Sequence, residues 1–173
     1  MARLDEADPI LFAALEGSTR VYGLNHPKTI LAQNNYAALL MSRAAIAEAA
    51  SDVSAVKLYA DAESLMRSAL SRQLASVGEA DPIAQQTMHN LAILLHAQCN
   101  HSEEALDFMR RTVRGRCSTL GISNVQTIAS HSALASMLLK RGHDDGVAEA
   151  EDLMHTMISA AHDNIDEWVK VLP

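Results

Sequence analysis

Three side chains that could ligate a metal lie close together in the sequence: His96, Cys99 and His101. Imidazole nitrogen and thiolate sulfur are ligands that zinc binds well, but a structural zinc site needs four of them. The sequence holds no second close pair to complete the set. The acidic run Asp144-Asp145-Gly146 is too short for a calcium loop, which spreads its oxygen ligands over about twelve residues. We therefore predict no metal site.

Covalent and phosphoryl-transfer chemistry have no recognisable motif in the chain. A Gly-x-Ser-x-Gly nucleophile turn, a glycine-rich phosphate loop and a His-Glu-x-x-His pair are all missing from the sequence. Scattered serine, histidine and aspartate residues can be assembled into a triad in almost any protein. The sequence therefore predicts that the protein is not an enzyme, has no catalytic residues, binds no cofactor and takes no small-molecule substrate.

A basic cluster stands out in the second half of the chain. It consists of Arg110, Arg111 and Arg114, followed by Arg116, on a predicted helix. One interpretation is a solvated helix face; the other is a patch that binds an acidic partner. Both interpretations remain open from the sequence.

The elements that carry these residues repeat along the chain. The segment Asn35–Leu40 returns as Asn90–Leu95, and more faintly as Ala133–Leu138. A second segment, Ala62–Met66, returns as Ala105–Met109, at the same offset that separates Asn90 from Ala133. Repetition at a period of roughly 40 residues is typical of stacked helical arrays, in which each unit buries its apolar face against its neighbours.

Composition predicts an all-α protein. Aromatic residues make up only 3% of the 173 residues, so alanine, leucine, methionine, isoleucine and valine must build the core. Alanine and leucine are strong helix formers, and small side chains suit close helix packing. Recurrent methionines at Met66, Met88, Met109, Met137, Met154 and Met157 are expected to be mostly core.

The charge balance narrows the class of partner. A net charge of -7 argues against nucleic acid, which needs a basic face. No segment approaches the roughly 18 apolar residues that a membrane-spanning helix requires. The acidic start of the chain does not resemble a targeting peptide. Two cysteines without a close-spaced motif predict a cytoplasmic or other reducing intracellular location.

Glycines divide the chain into helical units within one predicted domain over residues 1–173. The predicted divisions are an orphan helix over 7–23, repeat 1 over 24–78, repeat 2 over 79–121, repeat 3 over 122–162 and a short capping helix over 163–173. The orphan helix is expected to begin at Asp8-Pro9, because aspartate caps helices and proline is tolerated at the first position. In repeat 3 we expect a loop over 143–146, and in the capping helix a span over 165–172.

Repeat 1 is longer than repeat 2. The stretch between Leu40 and Ala62 is more than twice as long as the corresponding stretch between Leu95 and Ala105. We expect a taller helical hairpin with its turn at Ser51-Asp52. The helix from Pro27 to about Ala50 has an apolar stripe that includes Ile30, Leu31, Ala37, Leu40 and Met41.

These segments resemble the tetratricopeptide repeat of the kinesin light chain type. The resemblance is carried by His26-Pro27 with Asn34–Leu40, and by Asp81-Pro82 with His89–Leu95. It extends over roughly residues 7 to 162, although the third repeat lacks the His-Pro pair. The resemblance implies an α-α superhelix of about seven to eight antiparallel helices.

The resemblance also implies a binding groove lined by the first helices of the hairpins. Carried over by position, the groove residues are Asn34, Asn35, His89, Asn90 and Ser132. An amide can donate to and accept from the backbone of an extended peptide. The alternative is that these side chains cap loops or bond across neighbouring helices. No lysine or arginine lies near enough to clamp a terminal carboxylate, so that ligand is disfavoured.

Three functions follow as hypotheses. The first is a non-catalytic scaffold or adaptor that binds a segment of a partner protein on its repeat surface. The second is an architectural subunit permanently embedded in a large assembly, which the low charged fraction of 20% favours. The third is a regulatory repeat domain of a longer protein.

Overall fold

The computed structural model describes residues 2–98 and 103–171, with side chains for residues 4–98 and 103–160. Over these residues the chain forms seven helices and no strand, which confirms the all-α prediction. The helices are α1 (Ala2–Tyr22), α2 (Pro27–Ala49), α3 (Ser54–Ser76), α4 (Pro82–Gln98), α5 (Glu103–Leu120), α6 (Val125–Arg141) and α7 (Asp144–Val171). The chain divides into two compact units, unit 1 (Met1–Leu94) and unit 2 (Leu95–Pro173). The prediction of one domain over residues 1–173 stays a prediction.

Helix ends follow the local signals that the sequence contains. Gly23, Gly78 and Gly121 have φ of +81 or +82° immediately or shortly after a helix, a conformation that glycine adopts without steric cost. At helix starts, Asp81 Oδ1 accepts from the Ile83 and Ala84 amides, and Asn124 Oδ1 accepts from the Gln126 amide. The His-Pro pair has a similar role, since His26 Nδ1 accepts from the Lys28 amide at 3.1 Å.

Alanine and leucine, with some methionine, build the core of unit 1. Helix α2 packs against α1 on one side and α3 on the other. Ala37, Ala44, Ala62 and Ala69 are fully buried, and such small side chains let helix axes approach closely. Of the methionines expected in the core, Met66, Met88, Met109 and Met137 are buried, Met157 is half-buried and Met154 is exposed.

The first hairpin has the predicted extra length. Helices α2 and α3 have 23 residues each, against 17 in α4 and 18 in α5. The turn falls at Ser51-Asp52, as predicted, with Ser51 in the left-handed region at φ +56°. Asp52 Oδ1 accepts from the Ser54 amide at 2.8 Å, which lowers the pKa of the Asp52 carboxyl. Near the tip, the Tyr59 hydroxyl donates to Glu48 at 3.0 Å.

Two predicted helix boundaries are wrong. Helix α1 begins at Ala2 and contains Pro9 in its interior, whereas the sequence predicted a start at Asp8-Pro9. Helix α7 runs without a break from Asp144 to Val171, so the loop over 143–146 is shorter than predicted and there is no separate capping helix. Asp144 and Asp145 favour the first turn of α7 through the helix dipole, and no glycine or proline lies between residues 147 and 171 to end the helix.

Candidate functional site

The exposed face of α2 carries an amide between apolar side chains. Asn35 is exposed, with Leu31 four residues before it and Ala38 three residues after it on the same face. Leu31 is 52% exposed, so it lies outside the buried part of the predicted apolar stripe. The repeat alignment contained this signal, because Leu31 corresponds to the polar Gln86 when Asn35 is aligned with Asn90.

Asn34, the neighbour of Asn35, points into the interior. Its side chain is 3% exposed, and its Nδ2 donates to Thr87 Oγ1 at 2.7 Å. The Thr87 hydroxyl donates in turn to the Ile83 carbonyl at 2.9 Å. Asn34 Oδ1 has no hydrogen-bond partner among the described residues. The structure therefore places Asn34 between α2 and α4 inside unit 1, in the cross-helix bonding role that the sequence left open as an alternative.

The corresponding face of α4 repeats the pattern within unit 1. Asn90 is half-buried, and its Oδ1 accepts from Gln86 Nε2 at 2.8 Å, one turn earlier. Ile93, three residues after Asn90, is 36% exposed. His89 is half-buried beside them. The exposed positions 31, 35 and 38 of α2 thus correspond to positions 86, 90 and 93 of α4 in the alignment of the repeats.

Helix geometry places the two asparagines on the same side of the α2–α4 pair. Two turns reverse the chain between these helices, so α2 and α4 run in the same direction. The Asn34–Thr87 hydrogen bond marks where they face each other. Each residue of a helix is rotated by about 100° from the one before it, so Asn35 is rotated by about 100° from Asn34 round the axis of α2. Asn90, three residues after Thr87, is rotated by about 60° in the opposite sense round the axis of α4. Both amides therefore project from one surface, which we call the amide face: Leu31, Asn35, Ala38, Asn90 and Ile93.

Ser132 lies in unit 2, on α6. It is exposed, and the exposed residues nearest to it along the same face include Val125, Ile128 and Ser136. This face of α6 is therefore mainly apolar and carries a hydroxyl in place of an amide.

The arginine cluster does not form one basic surface. Arg110 makes a two-pronged ion pair with Glu149 of α7, with Nε–Oε1 at 2.8 Å and Nη2–Oε2 at 2.5 Å. This bond raises the pKa of Arg110 and lowers the pKa of Glu149. Arg111 pairs with Asp107 at 3.3 Å and lies over the Phe108 ring. Arg114 is exposed.

Arg116 belongs to the core of unit 2. It is fully buried, and its Nη1 donates to the Gln126 carbonyl at 3.0 Å and to Ser130 Oγ at 2.7 Å. Burial lowers the pKa of its guanidinium. Arg116 therefore ties α5 to the start of α6, so the basic patch considered for this helix is divided between ion pairs, one exposed side chain and the core.

Sequence reasoning missed a thiol–imidazole contact in unit 2. Cys117 Sγ lies 3.9 Å from His131 Nε2, and His131 Nδ1 lies 3.0 Å from the Thr127 carbonyl. A carbonyl only accepts, so Nδ1 carries the proton and Nε2 faces the thiol. Burial raises the pKa of Cys117, which keeps the sulfur in its unreactive thiol form. The repeat alignment would not reveal this pair, because Cys117 corresponds to Leu74.

In the part of the chain that the structure describes, no group of three or more histidine, cysteine, aspartate or glutamate side chains is arranged to hold a metal ion. Cys99, His101 and the predicted turn at 100–102 lie outside the described residues. In the same part of the chain, no helix has both the length and the apolar character needed to cross a bilayer.

Comparison with known proteins identifies the repeat. Residues 85–126, from α4 to the start of α6, match the family model described as tetratricopeptide repeat. The chain therefore contains a tetratricopeptide repeat. No curated protein matches its sequence at a significant level.

Solved structures show that the chain has the fold of such repeats. It is similar to the nearly identical TPR-like repeats of a kinesin light chain from Podosopora anserina. A point variant of those repeats gives TM-score 0.75 at 19% identity, covering 94% of this chain and 68% of that one. A second structure of these repeats gives TM-score 0.73 at 19% identity, covering 99% and 70%. BtubC (BKLC) from P. vanneervenii gives 0.72 at 16% identity, and the match covers 93% of this chain but 59% of BtubC. The likeness shows the helical solenoid fold.

Proposed function

We propose that this protein is a non-catalytic binding module that holds a segment of a partner protein against the amide face of unit 1. One observation carries the proposal: two first helices present an asparagine beside apolar side chains at the same repeat position. Asn35 is flanked by Leu31 and Ala38, and Asn90 by Ile93. An asparagine can pair with both main-chain groups of an extended segment, while the apolar neighbours contact its side chains.

The contrast between Asn34 and Asn35 supports this role. The two amides are adjacent, yet one is buried in a helix contact and the other is exposed. A helix contact therefore uses Asn34 and leaves Asn35 available for a partner. Asn90 is in an intermediate position, since its amide already bonds to Gln86 and must exchange or share that bond with a ligand.

Binding measurements with single alanine variants test the proposal. Partners recovered with the purified chain are titrated against the wild type, Asn35→Ala and Asn90→Ala. Loss of one hydrogen bond costs about 1 kcal/mol or slightly more, so we expect affinity to fall about five- to tenfold per variant. Ser71→Ala, at an exposed position of α3, is the matched control and should bind like the wild type.

Thermal melting of the same variants separates binding from folding. Asn35→Ala should melt like the wild type, because its side chain is exposed. Asn34→Ala should melt at a lower temperature, because it removes a buried hydrogen bond. Unchanged affinity in a folded Asn35→Ala, Asn90→Ala double variant would show that the partner binds elsewhere.

A permanent architectural subunit is the second candidate function. The observation that favours it is the exposure of large apolar side chains that do not belong to the amide face, such as Val53 of unit 1 at 89% and Val125 of unit 2 at 80%. Aggregation of the isolated chain, relieved by co-expression with its partners, would favour this function over a transient adaptor. A regulatory domain of a longer protein is compatible with either function.

The free thiol of Cys117 supports a cytoplasmic or other reducing location.

A further inference from the structure

Helix α1 is packed on one side. Among its described side chains, from Leu4 to Tyr22, none is fully buried. In the part of unit 1 that the structure describes, the helix packs against α2. The Phe12 and Tyr36 rings lie 5.6 Å apart, and the Thr29 hydroxyl donates to the Ser18 carbonyl at 3.1 Å. These contacts leave the opposite side of α1 exposed.

The exposed side is an apolar stripe of small and branched residues. At about 100° per residue, its members fall within roughly 100° of the helix circumference. They are Ile10, Ala13, Ala14, Gly17 and Val21, here called the α1 stripe. Ile10 is 68% exposed and Val21 66% exposed, and a Cβ added to Gly17 would meet nothing within 4 Å.

The internal repeat provides a control for this surface. Aligning Gly23 with Gly78 places Ile10 and Ala14 against the half-buried Leu65 and the fully buried Ala69 of α3. The other three members, Ala13, Gly17 and Val21, align with Ser68, Arg72 and Ser76, which are polar and not fully buried in α3. At these three positions α1 is apolar where α3 is polar. Apolar side chains in place of polar ones do not stabilise a helix face that stays in water. The α1 stripe therefore has the composition of a surface that is covered by another surface.

The stripe is self-complementary about Gly17. Two antiparallel copies related by a two-fold axis at this residue place Ala13 of each copy against Val21 of the other. The small side chains at the centre allow the helices to approach closely. Glu16 and Arg20, which line the open depression around Gly17, then lie within one turn of each other across the axis.

We propose that the protein forms a two-fold symmetric homodimer through the α1 stripe, with Glu16 of one copy paired to Arg20 of the other. Such an interface is isologous, so each of these contacts occurs twice. One helix per copy buries less than the roughly 800 Å² per partner of a standard stable interface. The dimer is therefore weak, with a dissociation constant of about 1 μM or higher.

Sedimentation equilibrium of the full chain over a concentration series tests the dimer. Val21→Asp should raise the dissociation constant at least about tenfold by placing a charge in the stripe. Ser76→Asp, at the corresponding position of α3, is the matched control and should leave the dissociation constant unchanged. Circular dichroism melts of both variants confirm that they fold.

Charge reversal gives an independent measurement. Glu16→Arg and Arg20→Glu should each weaken the dimer, and the double reversal should restore it, because the antiparallel pairing then joins opposite charges again.

Disulfide formation by Gly17→Cys, with Cys99 and Cys117 replaced by alanine, should give a covalent dimer. A wild type that stays monomeric up to about 1 mM, where even a weak dimer would form, overturns the proposal. So does a dimer that Val21→Asp does not weaken, or one that the double reversal fails to restore.

Discussion

Adjacent residues in this protein have opposite environments, and their chemistry follows from that difference. Asn34 donates to Thr87 inside unit 1, while Asn35 faces outwards. Arg114 is exposed, whereas Arg116, two residues later, bonds to Gln126 and Ser130 in the core of unit 2. On a helix, each step along the sequence turns a side chain by about 100° round the axis. The residue type alone therefore does not say which role a polar side chain has.

The Arg110–Glu149 pair makes the stability of unit 2 depend on pH. Its hydrogen bond lowers the pKa of Glu149 in the folded protein. The pair thus stabilises the fold above the pKa of an unfolded glutamate, about 4.3, and this contribution is lost as pH falls through the lowered folded pKa. Glu149→Gln should cost about 1 kcal/mol or less at pH 7, because both side chains are about one-third exposed, at 33% and 34%.

Urea unfolding at pH 7, 5 and 3, followed by circular dichroism, measures this effect. The free energy of unfolding of Glu149→Gln should be lower than that of the wild type at pH 7, and this difference should shrink towards pH 3. Glu151→Gln, at an exposed position two residues further along α7, should retain the wild-type pH dependence. A deficit that stays constant from pH 7 to pH 3 would mean that Glu149 acts through packing and not through its charge.

Helices were largely predictable from local signals, and their surroundings were not. Gly23, Gly78 and Gly121, with the caps at Asp81 and Asn124, fixed most helix ends from residue type alone. The orientation of each helix depends on neighbours that are distant in sequence. The environments of Leu31, Asn34 and Arg110 could therefore not be predicted, because they are set by packing or by a partner on another helix.

Pro9 shows why the start of α1 was missed. Proline cannot donate to the carbonyl four residues earlier, and its ring crowds that carbonyl, so an interior proline usually ends a helix. Helix α1 nevertheless continues back to Ala2. The residue before Pro9 contacts a neighbouring helix, because Asp8 forms an ion pair with Arg43 of α2.

Replacing Pro9 should therefore stabilise α1. Pro9→Ala restores the missing hydrogen bond, and we expect a gain of up to about 3 kcal/mol in the free energy of unfolding. Denaturant unfolding measures it. Pro27→Ala is the matched control, because Pro27 lies at the start of α2, where proline is tolerated, and little gain is expected. Equal effects of the two substitutions would contradict an interior cost at Pro9.

At the scale of the whole molecule, stability in a repeat protein is distributed over local contacts. The chain divides into unit 1 and unit 2, and each has its own fully buried side chains. Met66 is among those of unit 1, and Leu134 is among those of unit 2. A substitution that removes buried contacts in one unit should therefore destabilise first the helices that make those contacts.

Core truncations in the two units test this locality. Met66→Ala and Leu134→Ala should each cost about 2–5 kcal/mol by leaving a cavity. Hydrogen exchange should accelerate mainly in α2 and α3 for the first variant, and mainly in α5 to α7 for the second. Uniform acceleration over all helices in either variant would show that the chain unfolds as one cooperative unit.

The length of the first hairpin has a consequence for how this sequence can change. Its additional turns lie towards the tip at Ser51, at the opposite end from Gly23 and Gly78, while the Asn34–Thr87 contact lies nearer the base. Insertions or deletions around residues 45–57 would alter the height of the hairpin without moving that contact. Divergent descendants of this protein should thus vary in length at the tip, and a foreign peptide grafted there should leave the amide face intact.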